Sequence, residues 1–226
     1  MSEYPKKVYL NGEIINHDEA KISVFDRGFL FGDGIYEVMA KIDGKFLFGQ
    51  KHLERLDQSL KKTQMDFDTR ILKSAIQELL EASDLIKEDC IFYIQVTRGI
   101  APRKHSFPQN VSPTLMMYAS PKKFPDIDQT HASVITIPDQ RWFRCDIKMT
   151  SLLGNVMAND HAIKQGYYEA ILVRNGVITE ASHCNVFFVK SNVVYTHPAN
   201  DLMTTCFMKK MSQERLPKNF KKLFWN

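Results

Sequence analysis

Lys148 stands at the end of the string Arg144-Cys145-Asp146-Ile147, immediately ahead of an apolar, helix-forming run. A lysine so placed could act as a nucleophile. Only a deprotonated amine attacks a carbonyl carbon, and lysine gives up its proton readily when desolvated or set beside other positive charge. The ordinary alternative is a solvated surface cation. The same double reading attaches to five further residues. Glu180 follows the strand-like stretch 176–179 and would commonly be a hairpin-edge carboxylate; Arg55 lies on a helical run, where an arginine commonly faces solvent. Tyr36 could be a half-buried strand aromatic, and Arg103 and His105 belong to a basic loop, Arg98 to Pro108, of a kind common between strands. Gly32-Asp33-Gly34 offers two spaced glycines, which is weak support for a phosphate loop and reads first as a turn before a strand. There is no metal motif, no GxSxG elbow and no GxxxxGK loop.

These residues need elements to hold them. Val8 to Leu10, Asn11-Gly12 and Glu13 to Ile15 read as a β-hairpin, since Asn-Gly supplies the positive φ angles of a tight primed turn. Ile35 to Ile42, Asp43-Gly44 and Lys45 to Phe48 repeat the pattern. Leucines 53, 56 and 60 mark an amphipathic helix from His52 to Met65, and Ile71, Leu72, Ala75, Ile76, Leu79 and Leu80 mark a second from Arg70 to Ala82. Strands are predicted over Cys90 to Thr97, Thr114 to Ala119 and Ser133 to Ile137, and a helix over Leu152 to Gln165 ending at Gly166. Two hairpins close the pattern: Tyr168 to Val173 with Val177 to Thr179 across Asn175-Gly176, then Val186 to Val189 with Val193 to Thr196.

Strands dominate, helices are grouped and the βαβ alternation of a Rossmann domain is missing, which indicates an α+β chain. The proline-bounded, polar stretch from Pro121 is the expected linker. It divides an N-terminal α+β domain (1–120) from a strand-rich domain (129–200), with the linker over 121–128 and a divergent basic tail over 201–226.

At 226 residues, 44% hydrophobic and 25% charged, the composition is that of an ordinary soluble globular protein. No apolar run approaches the roughly 20 residues that cross a bilayer. The N-terminus lacks the apolar core of a secretory signal, and the four cysteines (90, 145, 184, 206) form no CxxC pair. Reduced thiols in a cytoplasm are expected. The net charge of +4 is uneven: residues 209–226 carry six lysines and arginines against Glu214 alone, a net +5, leaving the rest at −1. No basic face for nucleic acid follows from that distribution.

Longer strings narrow the chemistry. Asp26-Arg27-Gly28-Phe29-Leu30-Phe31-Gly32-Asp33-Gly34-Ile35-Tyr36-Glu37 resembles the N-terminal signature of the fold-type IV pyridoxal-phosphate enzymes, the class IV aminotransferase family. His52-Leu53-Glu54-Arg55-Leu56, Asp146-Ile147-Lys148 with Ser151-Leu152-Leu153-Gly154-Asn155, Tyr168-Glu169-Ala170, Thr179-Glu180-Ala181-Ser182 and Asn185-Val186-Phe187 follow in family order over roughly residues 4–200. The resemblance implies a two-domain, α+β fold-type IV enzyme whose second domain is incomplete. It implies pyridoxal 5'-phosphate (PLP) as cofactor. It makes Lys148 the residue that bonds covalently to the cofactor and shuttles the substrate proton. It sets Glu180 against the pyridine nitrogen, where a carboxylate keeps the ring protonated, and Arg55 on the phosphate, a bidentate task for a planar guanidinium. Tyr36 lines the substrate pocket.

Within the family, Arg98-Gly99-Ile100-Ala101-Pro102-Arg103-Lys104-His105-Ser106-Phe107-Pro108 and Arg141-Trp142-Phe143-Arg144-Cys145 are similar to the D-amino acid transaminases. That similarity implies that Arg103 and His105, with Tyr36, hold the substrate α-carboxylate from a neighbouring subunit of a homodimer. The implied reaction passes the amino group of a D-amino acid, D-alanine foremost, to a 2-oxo acid such as 2-oxoglutarate. The alternatives are a branched-chain aminotransferase, an aminodeoxychorismate lyase, or a non-catalytic remnant. After Thr196-His197-Pro198-Ala199-Asn200 the resemblance stops. Asp201 to Met208 lacks the family's Gly-Ile-Thr-Arg-like turn, so weak cofactor binding and reduced turnover are expected of the chain as it stands, and a frameshifted or truncated gene product is the expected origin.

Overall fold

A computed structural model describes residues 4–125, 131–191 and 193–197; the divergent tail 201–226 lies outside the described residues. The described residues fall into two compact units: residues 4–124 with Lys148–Ser151, and the described part of 125–147 and 152–197. The division falls between Phe124 and Pro125, inside the 121–128 stretch, but the return of Lys148–Ser151 to the first unit is not written in any linker-like composition.

The first unit is built on a six-stranded antiparallel sheet. In chain order its elements are β1 (Lys7–Leu10), β2 (Glu13–Asn16), α1 (Arg27–Phe31), β3 (Gly34–Ile42), β4 (Lys45–Phe46), α2 (Gly49–Lys62), α3 (Leu72–Ala82), β5 (Cys90–Thr97) and β6 (Thr114–Pro121). The sheet order is β2-β1-β6-β5-β3-β4. Both expected tight turns are present, with Asn11 and Gly12 at φ of 51° and 104° and Asp43 and Gly44 at 50° and 75°. Along β3 every second side chain, from Ile35 to Lys41, is buried on the helix side, as the period of a strand requires. Leu56 and Leu60 of α2, Leu72 and Leu79 of α3, and Phe92, Ile94 and Val96 of β5 complete a core at most 2% exposed. The two helices begin and end within three residues of the periodic runs that predicted them, except that Thr69–Ile71 forms a separate 3-10 turn before α3.

The single-turn helix α1 is too short to show a period in sequence. Its N-cap Asp26 is buried and accepts from Gly28 N (2.8 Å), Thr97 Oγ1 (2.9 Å) and Thr114 Oγ1 (2.7 Å), which ties the helix to β5 and β6. Gly32 ends it in the left-handed region at φ 64°, and a Cβ there would stand 2.3 Å from Ser151 Oγ. Asp33 then takes Arg27 Nε (2.7 Å) and Arg98 Nε (2.8 Å).

In the second unit β7 (Val134–Pro138), α4 (Leu153–Lys164), β8 (Glu169–Arg174) and β9 (Val177–Ala181) form a three-stranded sheet in the order β7-β8-β9. β7 and β8 run parallel with α4 between them in the chain, a single βαβ unit and not the repeated alternation of a Rossmann domain. A parallel pair needs a crossover, and α4 fills it by setting Ala158 and Ala162 on Ala170 and Leu172. The hairpin of β10 (Phe188–Lys190) and β11 (Val193–Tyr195) ends the described chain. Among the described residues no helix is long and apolar enough to cross a membrane.

Candidate active site

Lys148 is positioned by backbone pairing. Its carbonyl accepts from Tyr36 N (3.0 Å), Thr150 N donates to Gly34 O (2.9 Å), and Met149 bridges Ile35, so 148–150 lie antiparallel along the start of β3. Thr150 Oγ1 also donates to Gly32 O (3.0 Å) and Ser151 Oγ to the same carbonyl (3.1 Å). The glycine string of the sequence thus shapes the turn onto which this strap is sewn. The result is a half-buried amine: Lys148 Nζ lies 3.3 Å from the Tyr36 hydroxyl and 4.3 Å from the centre of its ring. Tyr36 in turn stacks on Tyr93, and Tyr93 on Tyr118, across neighbouring strands. Burial pushes the Tyr93 phenol well above its usual range, with Tyr118 and Tyr36 adding to it, so Tyr93 is a neutral backing for Tyr36.

One residue along, Glu37 points to the opposite face of β3 and is fully buried. It takes Arg55 through Nε (2.5 Å) and Nη2 (2.7 Å), and His52 Nδ1 stands 2.8 Å from its Oε2. Burial pushes this carboxyl upward, but the hydrogen bonds from Arg55 and His52 and the charges of Arg55 and Lys148 outweigh that and hold it below the usual carboxylate range. The two-point grip that sequence reading reserved for a phosphate is, in this structure, the grip of Arg55 on Glu37. Glu37 and His52 carry no assigned role in the sequence analysis, although both lie in strings quoted there. A strand glutamate and a helix arginine 18 positions apart give no sequence signal of being partners.

Glu180 lies at the end of β9 in the second unit, 4% exposed, and pairs with Arg141 Nη1. Asp139 lies beneath the pair: it accepts from Arg141 Nε and Nη2 (both 3.0 Å) and from Thr179 Oγ1 (2.9 Å), and Arg174 Nη2 lies 3.0 Å away. Burial would raise Asp139, but Arg141 and Thr179 prevail and hold it down at about 2. Burial would lower Arg141; Asp139 and Glu180 hold it above its usual value instead. Glu180 is therefore an oriented carboxylate with a permanent cation at its back. Arg141 was legible only as part of a string, and Asp139 not at all.

Arg103 and His105 are exposed and gather around α1. The Arg103 guanidinium lies 5.1 Å from the centre of the Phe31 ring, the His105 ring 5.6 Å from it, and Arg27 Nη1 donates to Lys104 O (2.6 Å). The structure thus joins Lys148 to Tyr36, links Arg55 to the neighbouring Glu37, and gathers Arg103 and His105 on Phe31. The open groove of the first unit, bordered by Tyr9, Phe67, Ile100 and Asn110 to Leu115, includes none of the six.

Comparison with known proteins gives the family. The family described as amino-transferase class IV matches residues 34–215. The chain is similar to a D-alanine aminotransferase of Staphylococcus haemolyticus, 40% identical over 209 residues that make up 91% of this chain and 73% of that protein. It is similar to one of Bacillus licheniformis, also at 40%, over 87% of this chain and 70% of that protein. Among solved structures it resembles a branched-chain amino acid aminotransferase of Escherichia coli (TM-score 0.82, 18% identity, 92% of this chain and 73% of that one). A second likeness is the branched-chain aminotransferase of Thermoproteus uzoniensis (TM-score 0.73, 25% identity, 87% of this chain and 69% of that one). The first of these structural likenesses shows the fold alone. The family match over residues 34–215, with 40% identity over nine tenths of the chain, places this chain in the class IV aminotransferase family, enzymes that work through pyridoxal 5'-phosphate.

Proposed function

We propose that this aminotransferase takes D-amino acids, with D-alanine as amino donor and 2-oxoglutarate as acceptor, and that it works as a homodimer. What carries the substrate is the 40% identity, over nine tenths of the chain, to proteins called D-alanine aminotransferases. The branched-chain enzymes among the structural likenesses support the scaffold, not their substrate.

The residues present fit the cofactor by type. An amine held on a hydroxyl suits an aldehyde, a buried carboxylate backed by arginine suits a protonated ring nitrogen, and a guanidinium suits a phosphate. When bound, PLP supplies an aldehyde carbon that receives the amino group and a ring that draws off the electron pair left at the substrate Cα. Lys148 Nζ would hold the aldehyde carbon and move the proton at Cα, the task of a general base. The Tyr36 hydroxyl, 3.3 Å from that nitrogen, orients it. Glu180, fixed from behind by Arg141, would keep the proton on the ring nitrogen, and Arg55, oriented by Glu37, would hold the phosphate. Arg103 and His105, exposed on their own subunit, suit a role at the substrate carboxylate of the neighbouring one. A cytoplasmic location goes with this substrate class.

The test is a coupled assay on the purified chain, with D-alanine, L-alanine and L-leucine offered in turn with 2-oxoglutarate. Pyruvate should form from D-alanine, and borohydride reduction should leave a pyridoxyl group on the peptide holding Lys148. Arg103→Ala should lower kcat/KM for D-alanine about 10–100-fold, through KM, by removing a charge-assisted contact. Turnover of L-leucine in place of D-alanine would move the protein to the branched-chain reading.

A further inference from the structure

We propose that Glu169, His183 and Cys184 form a site for a divalent transition metal, zinc by preference, which clips the turn after Glu180 onto strand β8. The three residues lie in the second unit and include no residue assigned a role toward the cofactor.

The site follows from the way the chain turns after β9. Ala181 N donates to Cys184 O (2.9 Å), so Ser182 and His183 form the tip of a tight turn and Cys184 is brought back beneath it. Ser182 N donates to Ala170 O (2.9 Å) and Asn155 Nδ2 to Ser182 O (2.7 Å), which moors the turn beside β8 and α4. That mooring sets His183 Nδ1 and a half-buried free thiol, Cys184, next to Glu169 at the start of β8. One donor atom of each, a carboxylate oxygen, an imidazole nitrogen and a sulfur, all lie within 4.8 Å of one another.

Glu169 is a costly residue to keep where it is. It is 4% exposed. Its Oε1 is well served, accepting from Ala170 N (2.7 Å) and from Ser182 Oγ. Its Oε2 is buried and has no donor aligned with it, although Nδ1 of His183 stands 2.6 Å away as an ion-pair contact. A buried carboxylate oxygen, a ring nitrogen 2.6 Å from it and a thiol therefore converge on one point, and all three offer lone pairs to a metal once the ring nitrogen and the thiol have given up their protons.

The ligand types select the ion. Thiolate and imidazole favour zinc and its neighbours over magnesium and calcium, which take oxygen donors. Carboxylate and thiolate together carry two negative charges, so a dication would leave the partly buried site neutral. In a tetrahedral zinc site, bonds of roughly 2.0–2.3 Å put ligand atoms roughly 3.3–3.8 Å apart. The spread of 4.8 Å therefore needs a small closure, and the 2.6 Å pair needs to part slightly. On binding, the metal accepts lone pairs from Oε2, Nδ1 and Sγ; the thiol proton, and the ring proton where Nδ1 carries one, pass to solvent; water fills the fourth position.

Two measurements on the full chain decide it. Titration with Co2+ alone should give one equivalent bound, with a near-ultraviolet thiolate-to-cobalt band. That band should disappear in Cys184→Ser, and affinity should fall at least about tenfold in His183→Ala. In the unaltered chain, Zn2+ should slow alkylation of Cys184, read by peptide mass spectrometry, at least about tenfold. A cobalt spectrum without the thiolate band, its persistence in Cys184→Ser, or alkylation of Cys184 at the same rate with and without zinc would each overturn the site. Neither readout depends on D-alanine turnover, so the substrate reading can fail while the metal site stands, and the reverse.

Discussion

Among single side chains of the first unit, Glu37 has most at stake, because its charge is fully buried and meets both Arg55 and His52 there. A buried ion pair contributes little net stability, yet breaking it leaves a lone charge in the core. Glu37→Gln keeps the volume and removes the charge. Urea unfolding should show a lower midpoint at unchanged slope, a loss of about 3 kcal/mol. An unchanged midpoint would mean that Arg55 is balanced by other groups. The contrast with Lys148 is instructive. Lysine and glutamate were both visible in sequence as parts of longer strings, but a string shows that a residue matters without showing what it touches. The touching partners here are 18 residues apart for Arg55 and Glu37 and 112 for Lys148 and Tyr36. The same blindness applied to cysteine spacing: 184 lacks a CxxC neighbour, and its companion Glu169 is brought to it by a strand and a turn.

At the scale of elements, the hairpins and the two long helices were legible because their causes are local: Asn-Gly and Asp-Gly turns, and leucines at helical spacing. Helix α1 and the strap 148–151 were not, because one turn of helix shows no period and a four-residue strap held by a single bridge pairs only through tertiary contact. Both depend on Gly32. Its φ of 64° and the closeness of Ser151 leave no room for a side chain. Gly32→Ala should cost about 1–2 kcal/mol, or about 2–8 °C in Tm for a chain of this size. It should also reduce borohydride trapping on Lys148 under conditions where the variant is still folded, because Ser151 must move and the strap moves with it. Full trapping at normal Tm would show that the turn tolerates a Cβ. The missed parallel pairing of β7 with β8 has the same origin: apolar runs mark strands, but nothing in their composition states which way a neighbour runs.

For the molecule as a whole, acid is the clearest probe of the second unit. Asp139 titrates at about 2 when folded against an ordinary 3.8, so the folded carboxyl holds its proton less tightly than the unfolded one. Its contribution is therefore complete above pH 3.8 and is lost as pH falls toward 2. The contribution amounts to about 2 kcal/mol for a side chain that is fully shielded from solvent. Compared with Asp139→Asn, the unaltered protein should be more stable by that margin at pH 5, with the gap closing between pH 3.8 and 2 in thermal melts. A margin that persists at pH 2 would show that something other than ionisation holds the Arg141 cluster.

The strap has one more implication, for anyone who would take the protein apart. A gene cut at the junction near residue 124 would yield an N-terminal piece with Tyr36, Glu37 and Arg55 in place and an empty seat along β3, since the amine that belongs there is encoded 24 codons further on. Adding a synthetic peptide covering 146–152 to that piece would be a complementation experiment in which the reactive nitrogen is supplied from outside the chain.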